Sequence, residues 1–185
     1  MKVSNIPSKR RELIPHYYWS TRRVGQTLAN SEILFFNYVV GQTIDNVVAN
    51  EVDTNMKKAG AIEHPNRFWL SGISLFVLPN TGINTATTIL DINNILTYAK
   101  FTLKVSTKEK IVIAPITDLL ANSQIVNANF QTIKKEFTLK RPELLMPEIT
   151  FEPSLKFGSD MPNLTATATK IIMRLNGHLV RLAEL

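Results

Sequence analysis

The sequence predicts an all-β protein, a single antiparallel jelly roll or Greek-key β-sandwich with an extended N-terminal arm. Three observations predict it. Eight or nine segments are rich in β-branched and aromatic residues. No helical apolar repeat persists for 10 or more residues. Turn signals recur every 8–20 residues, and the long, uneven connections between them favour Greek-key wiring over an up-and-down meander.

Taken in order, residues 1–30 show neither strand nor helix periodicity. They carry two prolines, two basic clusters and the aromatic run Tyr17, Tyr18 and Trp19. This segment reads as an arm, and residues 31–185 as the packed domain. Residues 31–40 (SEILFFNYVV) read as the first core strand. Residues 41–66 form a long polar connection with room for a helical turn at 55–59. A loop of that length in a small domain is functional or interface-forming. Residues 67–78 (RFWLSGISLFVL) make a strong strand, stopped by Pro79-Asn80-Thr81-Gly82. A helical turn is expected at 91–96 with Asp91 as its N-cap.

Residues 98–105 (YAKFTLKV) alternate like a half-buried strand, and 111–116 returns as its hairpin partner across a charged tip at 106–110. Residues 118–123 read as a connector. Residues 130–139 and 144–151 are further strands, confined to edges and corners by Pro142, Pro147 and Pro153. The chain closes with 165–175 and 178–182. Asn176-Gly177 between them is either a hairpin turn or a bulge within one long strand.

Charge is concentrated at one end. In residues 1–23, six cations oppose the single acid Glu12, a net of +5 out of +6 for the whole chain. The remaining 162 residues hold 15 Lys and Arg against 14 Asp and Glu. Such an arm meets something anionic or a neighbouring subunit. Lys9, Arg10, Arg11, Arg22 and Arg23 are the candidate contacts to that partner, and Tyr17, Tyr18 and Trp19 would dock the arm. In the 41–66 loop, Asp53, Thr54, Asn55 and Met56 are the candidate lateral contacts.

Catalytic signatures are missing from the pattern. There is no G-x-S-x-G, H-E-x-x-H or glycine-rich phosphate loop, so no enzymatic activity is expected. The chain has no cysteine, which excludes disulfides and thiolate chemistry. His16, His64 and His178 lie far apart, without metal-ligand spacing. Asp45, Glu51 and Asp53 match no cation-loop pattern and read as a solvated acidic cluster. No cofactor, metal or small-molecule substrate is expected. The longest apolar stretch, residues 70–78, is too short to span a bilayer, so the expectation is a soluble protein made in the cytoplasm. Asn163-Leu164-Thr165 matches a glycosylation sequon, which without a secretory signal reads as chance.

Two segments carry a family resemblance. FFNYVVGQTIDNVVANEVDTNMKKAGAIEHPNRFWLSGISLFV contributes Thr54, Asn55, Met56, Ala59, Gly60, Pro65 and Phe68. LTATATKIIMRLNGHLVRL contributes Ile172, Arg174, Leu175, Gly177 and Arg181. Together they resemble structural proteins of tailless icosahedral bacteriophages whose capsids are built from upright jelly rolls. The resemblance implies a virion protein that partners with itself and with other virion proteins. Its arm would contact the genome or an inner membrane. Many capsid proteins of that group fuse two jelly rolls, and 185 residues hold only one. That implies a single-jelly-roll capsomer or a vertex (penton) subunit. The rival readings are a phage accessory binding module of tail, baseplate or receptor-binding type, and then a single-stranded nucleic-acid binder.

Overall fold

The computed structural model describes residues 11–79, 85–106, 112–115, 123–126, 129–132 and 137–182. In chain order the elements are β1 (Arg11–Val24), β2 (Glu32–Leu34), β3 (Thr43–Ile44), β4 (Val47–Val48), β5 (Arg67–Pro79), α1 (Thr85–Tyr98), β6 (Ala99–Val105), β7 (Val112–Pro115), β8 (Ser123–Val126), β9 (Asn129–Thr132), β10 (Phe137–Leu145), β11 (Phe151–Phe157) and β12 (Thr169–Leu182). The fold is mostly strand, in antiparallel sheets. One four-stranded sheet has the order β1-β12-β5-β10 and the other β2-β11-β6-β7. Two small hairpins, β3-β4 and β8-β9, stand apart from them.

Both sheets feed one apolar core. Phe68, Leu70, Ile73, Leu75 and Val77 of β5 join Ile171, Met173 and Leu175 of β12. From the second sheet come Phe101, Leu103 and Val105 of β6 with Phe151 and Leu155 of β11. Burying each such side chain contributes roughly 1.5–3 kcal/mol. The largely apolar sequence of β5, interrupted only by Ser71, Gly72 and Ser74 between Phe68 and Leu78, fits its central place between β12 and β10.

The expected arm is corrected from Arg11 onward. Arg11–Val24 is a 14-residue strand paired along its whole length with β12. Its inward face explains why the pattern was missed: with Tyr18 it turns His16 and Ser20 toward the core. His16 stacks edge-on against Tyr18 at 4.6 Å, and the buried Ser20 Oγ accepts from Phe36 N at 2.9 Å. Polar residues at these two inward positions, between Ile14, Tyr18 and Val24, interrupt the apolar alternation. Arg11–Val24 thus belongs to the packed domain, which was expected to start at residue 31. Lys9 and Arg10 lie outside the described residues.

Other expectations also change. Only Glu32–Leu34 of the expected 31–40 strand pairs in a sheet. Phe36 adopts φ +60°, which turns the chain out of the ladder, yet Phe35, Phe36 and Tyr38 remain buried. The helix α1 runs 14 residues where a single turn was expected. Asp91 sits within it, fully buried, rather than at its start. Its carboxylate accepts hydrogen bonds from Thr165 N at 2.7 Å, Thr165 Oγ1 at 2.6 Å and Ala166 N at 2.8 Å. That ties the helix to the segment leading into β12. The expected 144–151 strand is split, because Glu148 at φ +64° makes a corner between β10 and β11. The 106–110 tip and the 118–123 connector fall largely outside the described residues.

Of the two readings of Asn176-Gly177, the bulge is what the chain forms. Asn176 faces Gly72 and Gly177 faces Leu70, so Ser71 is the extra residue. Ser71 Oγ donates to Asn176 O at 3.1 Å, and Asn176 Nδ2 donates to Ser74 Oγ at 2.9 Å. A Cβ on Gly177 would lie 1.9 Å from Trp69 O, so only glycine lets the two strands approach.

Candidate assembly surface

The connection between β2 and β5 is held to the body by buried charge and hydrogen bonds. Arg22 grips Asp45 with Nε–Oδ2 at 2.9 Å and Nη2–Oδ1 at 2.8 Å. Arg22 Nη1 also donates to Leu34 O at 2.5 Å, and Arg23 N donates to Asp45 Oδ2 at 2.7 Å. Burial is the largest influence on Asp45 and opposes its charge. The Arg22 and Arg23 hydrogen bonds and their positive charge outweigh it, and the carboxyl sits below its ordinary value. Arg23 Nη2 reaches the buried Asp53 at 2.5 Å. These acids hold arginines rather than a solvated cluster or a cation. Among the described residues no group of three His, Asp or Glu is placed to hold a metal ion.

The same loop seals part of the outer edge of β1. Thr21 N donates to Asp53 O at 2.9 Å, and Thr54 Oγ1 donates to Trp19 O at 3.0 Å. Asn55 Oδ1 accepts from Trp19 N at 3.0 Å, while its Nδ2 donates to Tyr17 O at 2.7 Å. One amide side chain thus stands in for a neighbouring strand and covers edge groups that would otherwise invite pairing. Tyr38 Oη adds a buried link, accepting from Thr21 N at 2.9 Å and donating to Thr21 O.

The sequence-predicted site residues therefore divide. Asp53, Thr54 and Met56 are buried and Asn55 is half-buried; Asp53, Thr54 and Asn55 bond β1, and Met56 joins the core. Arg22 and Arg23 are committed to Asp45 and Asp53. Tyr18 belongs to the core, in edge contact with Phe68 at 5.0 Å. Burial, with Glu63 nearby, pushes its hydroxyl up to about 12. Tyr17 stays half-exposed beneath the Arg174 guanidinium, 4.9 Å from its ring centre. Arg11 lines a different pocket, at the opposite end of β1.

What the loop does present is aliphatic. Val40 is 45% exposed, Val47 38%, Val48 61% and Val52 75%, all within residues 40–52. Beside them a groove of about 520 Å³ is lined by Trp19, Val39, Val40, Glu51, Thr54, Asn55, Met56 and Lys57. The Arg22–Asp45 and Arg23–Asp53 pairs fix the loop that carries these side chains, so anything docking there would meet a preorganised surface. The exposed valines were not among the residues the sequence singled out in this loop. The signal was the spread of valines at 39, 40, 47, 48 and 52 through a polar stretch with few other apolar residues. Comparison with models of known protein families, with curated proteins and with solved structures finds no match to this chain.

Proposed function

We propose that this protein is a structural subunit of a bacteriophage capsid. In this reading it is a single jelly roll that assembles with copies of itself into an icosahedral shell, as a capsomer or vertex subunit. The observation that carries this is the nesting of strand pairs: β1 pairs with β12, β2 with β11, β5 with β10, and β6 with β7. Outermost pairs with outermost and innermost with innermost. That is the arrangement left when one long antiparallel ribbon rolls over on itself, as in a jelly roll. The resemblance of residues 35–77 and 164–182 to capsid proteins of tailless icosahedral phages points the same way. The 40–52 valines and the groove beside Trp19 would be the lateral contact, and its occupant a second copy of the chain. Repeated modest contacts of this kind close symmetric assemblies. The nucleic-acid reading is weakened because Arg22, Arg23 and Tyr18 are engaged within the fold.

The test is the mass distribution by analytical ultracentrifugation of the full chain, of a version lacking residues 1–10, and of the V48D/V52D double variant. Fixed oligomers or shells from the full chain, lost in V48D/V52D with folding intact, support the proposal. A monomer at high concentration with residues 1–10 in place overturns it.

A further inference from the structure

Three arginines from three neighbouring strands line one cavity at the end of the first sheet where β1 begins. Arg11 comes from β1, Arg67 from β5 and Arg181 from β12. The register puts Arg67, opposite Val180, and Arg11, opposite Leu182, on one face of the sheet, with Arg181, opposite Glu12, between them along β12. With His64, Pro65, Pro147 and Val180 they line a cavity of about 320 Å³. Glu12 is the one acid among the described residues paired with any of the three, through Arg181 Nε at 3.0 Å. No carboxylate among the described residues pairs with Arg11 or Arg67. Beyond β1 the chain is nearly neutral, and Arg22 and Arg23 are matched one-to-one by acids. This pocket is different: three arginines line it, and among the described residues one carboxylate pairs with them.

We propose that this pocket binds a phosphate group. Like charges held around a concave site repel one another, and an anion between them relieves that repulsion. Guanidinium forks suit a tetrahedral oxyanion, because each can give two parallel hydrogen bonds. The cavity is wide enough for a phosphate with an organic carrier, and Pro65, Pro147 and Val180 offer that carrier an apolar wall. The shared chemistry is the phosphate; its source is either the free ion or a phosphate ester. The inference stands apart from the assembly reading, since neither the valine surface nor the strand nesting enters it.

The experiment is NMR titration of the full chain at constant ionic strength, following the amides of Arg67, Val180 and Arg181. The probes are inorganic phosphate, thymidine 5′-monophosphate and acetate. Saturable shifts with phosphate or the nucleotide, weakened about tenfold in R67Q and in R11Q, support the site. Whichever of the two binds more tightly identifies the source. K104Q, a surface cation elsewhere, should bind as the parent does. Arg11 opens its strand and is exposed, so R11Q keeps the test valid should R67Q fold poorly. No saturable shift with either phosphate probe, equal binding of acetate, or an unchanged affinity in R11Q overturns the proposal.

Discussion

Asp45 is held by two successive arginines at the end of β1, with its side chain only 12% exposed. D45N keeps the shape but removes the charge, and should cost about 2 kcal/mol, the scale of charged hydrogen bonds. The carboxyl titrates below its ordinary 3.8 in the folded chain, so the folded state binds its proton less readily than the unfolded state. Its contribution is therefore complete above that ordinary value and is lost as pH falls through the folded-state value. Urea unfolding should show a clear gap between the parent and D45N at pH 7, and a smaller gap at pH 2.5. Gly177 makes a second residue-scale prediction. A methyl group there meets the Trp69 carbonyl at 1.9 Å, and backbone cannot yield as a flexible side chain can. G177A should lose about 3 kcal/mol or more by the same unfolding measurement.

At the scale of elements, two polar side chains do work usually given to backbone. Asn55 covers the outer edge of β1 at Tyr17 and Trp19. In N55A the Trp19 amide loses its acceptor, and its hydrogen exchange should speed up at least tenfold while β5 amides change little. Asp91 fastens α1 to residues 165 and 166 with three hydrogen bonds from inside the fold. D91A strands two backbone donors and a hydroxyl, and should destabilise by about 3 kcal/mol in thermal or urea unfolding. Both devices join segments far apart in sequence, so neither leaves a local mark.

For the whole molecule, the exposed valines of residues 40–52 stand apart from the packed body. Val48 and Val52 are among the most exposed apolar side chains, and the buried ion pairs that hold their loop do not involve them. V48D/V52D should change folding stability by no more than about 0.5 kcal/mol per site, the usual range for surface substitutions. If the 40–52 surface is the lateral contact, the same variant should leave only monomer in sedimentation. Unfolding and sedimentation read on one sample separate loss of assembly from loss of fold.

The strong strands were legible because their pattern is local. Residues 67–78 are apolar on both faces and 98–105 alternate, and each became the strand expected, as β5 and β6. The bulge at Asn176-Gly177 was one of two readings, and only contact with Trp69 chose it. β1 was illegible because its inward positions include His16 and Ser20, whose burial depends on Tyr18, Phe68 and Phe36 arriving from elsewhere. The basic clusters looked like one cationic arm. The fold spends Arg22 and Arg23 on Asp45 and Asp53, acids more than 20 positions away, and sends Arg11 to join Arg67 and Arg181. Composition and periodicity alone determined that this chain makes antiparallel sheets around an apolar core, since those depend on neighbours a few residues apart. Which charges are free and which apolar side chains face outward was decided by tertiary structure, because both depend on partners that only the folded chain brings within reach.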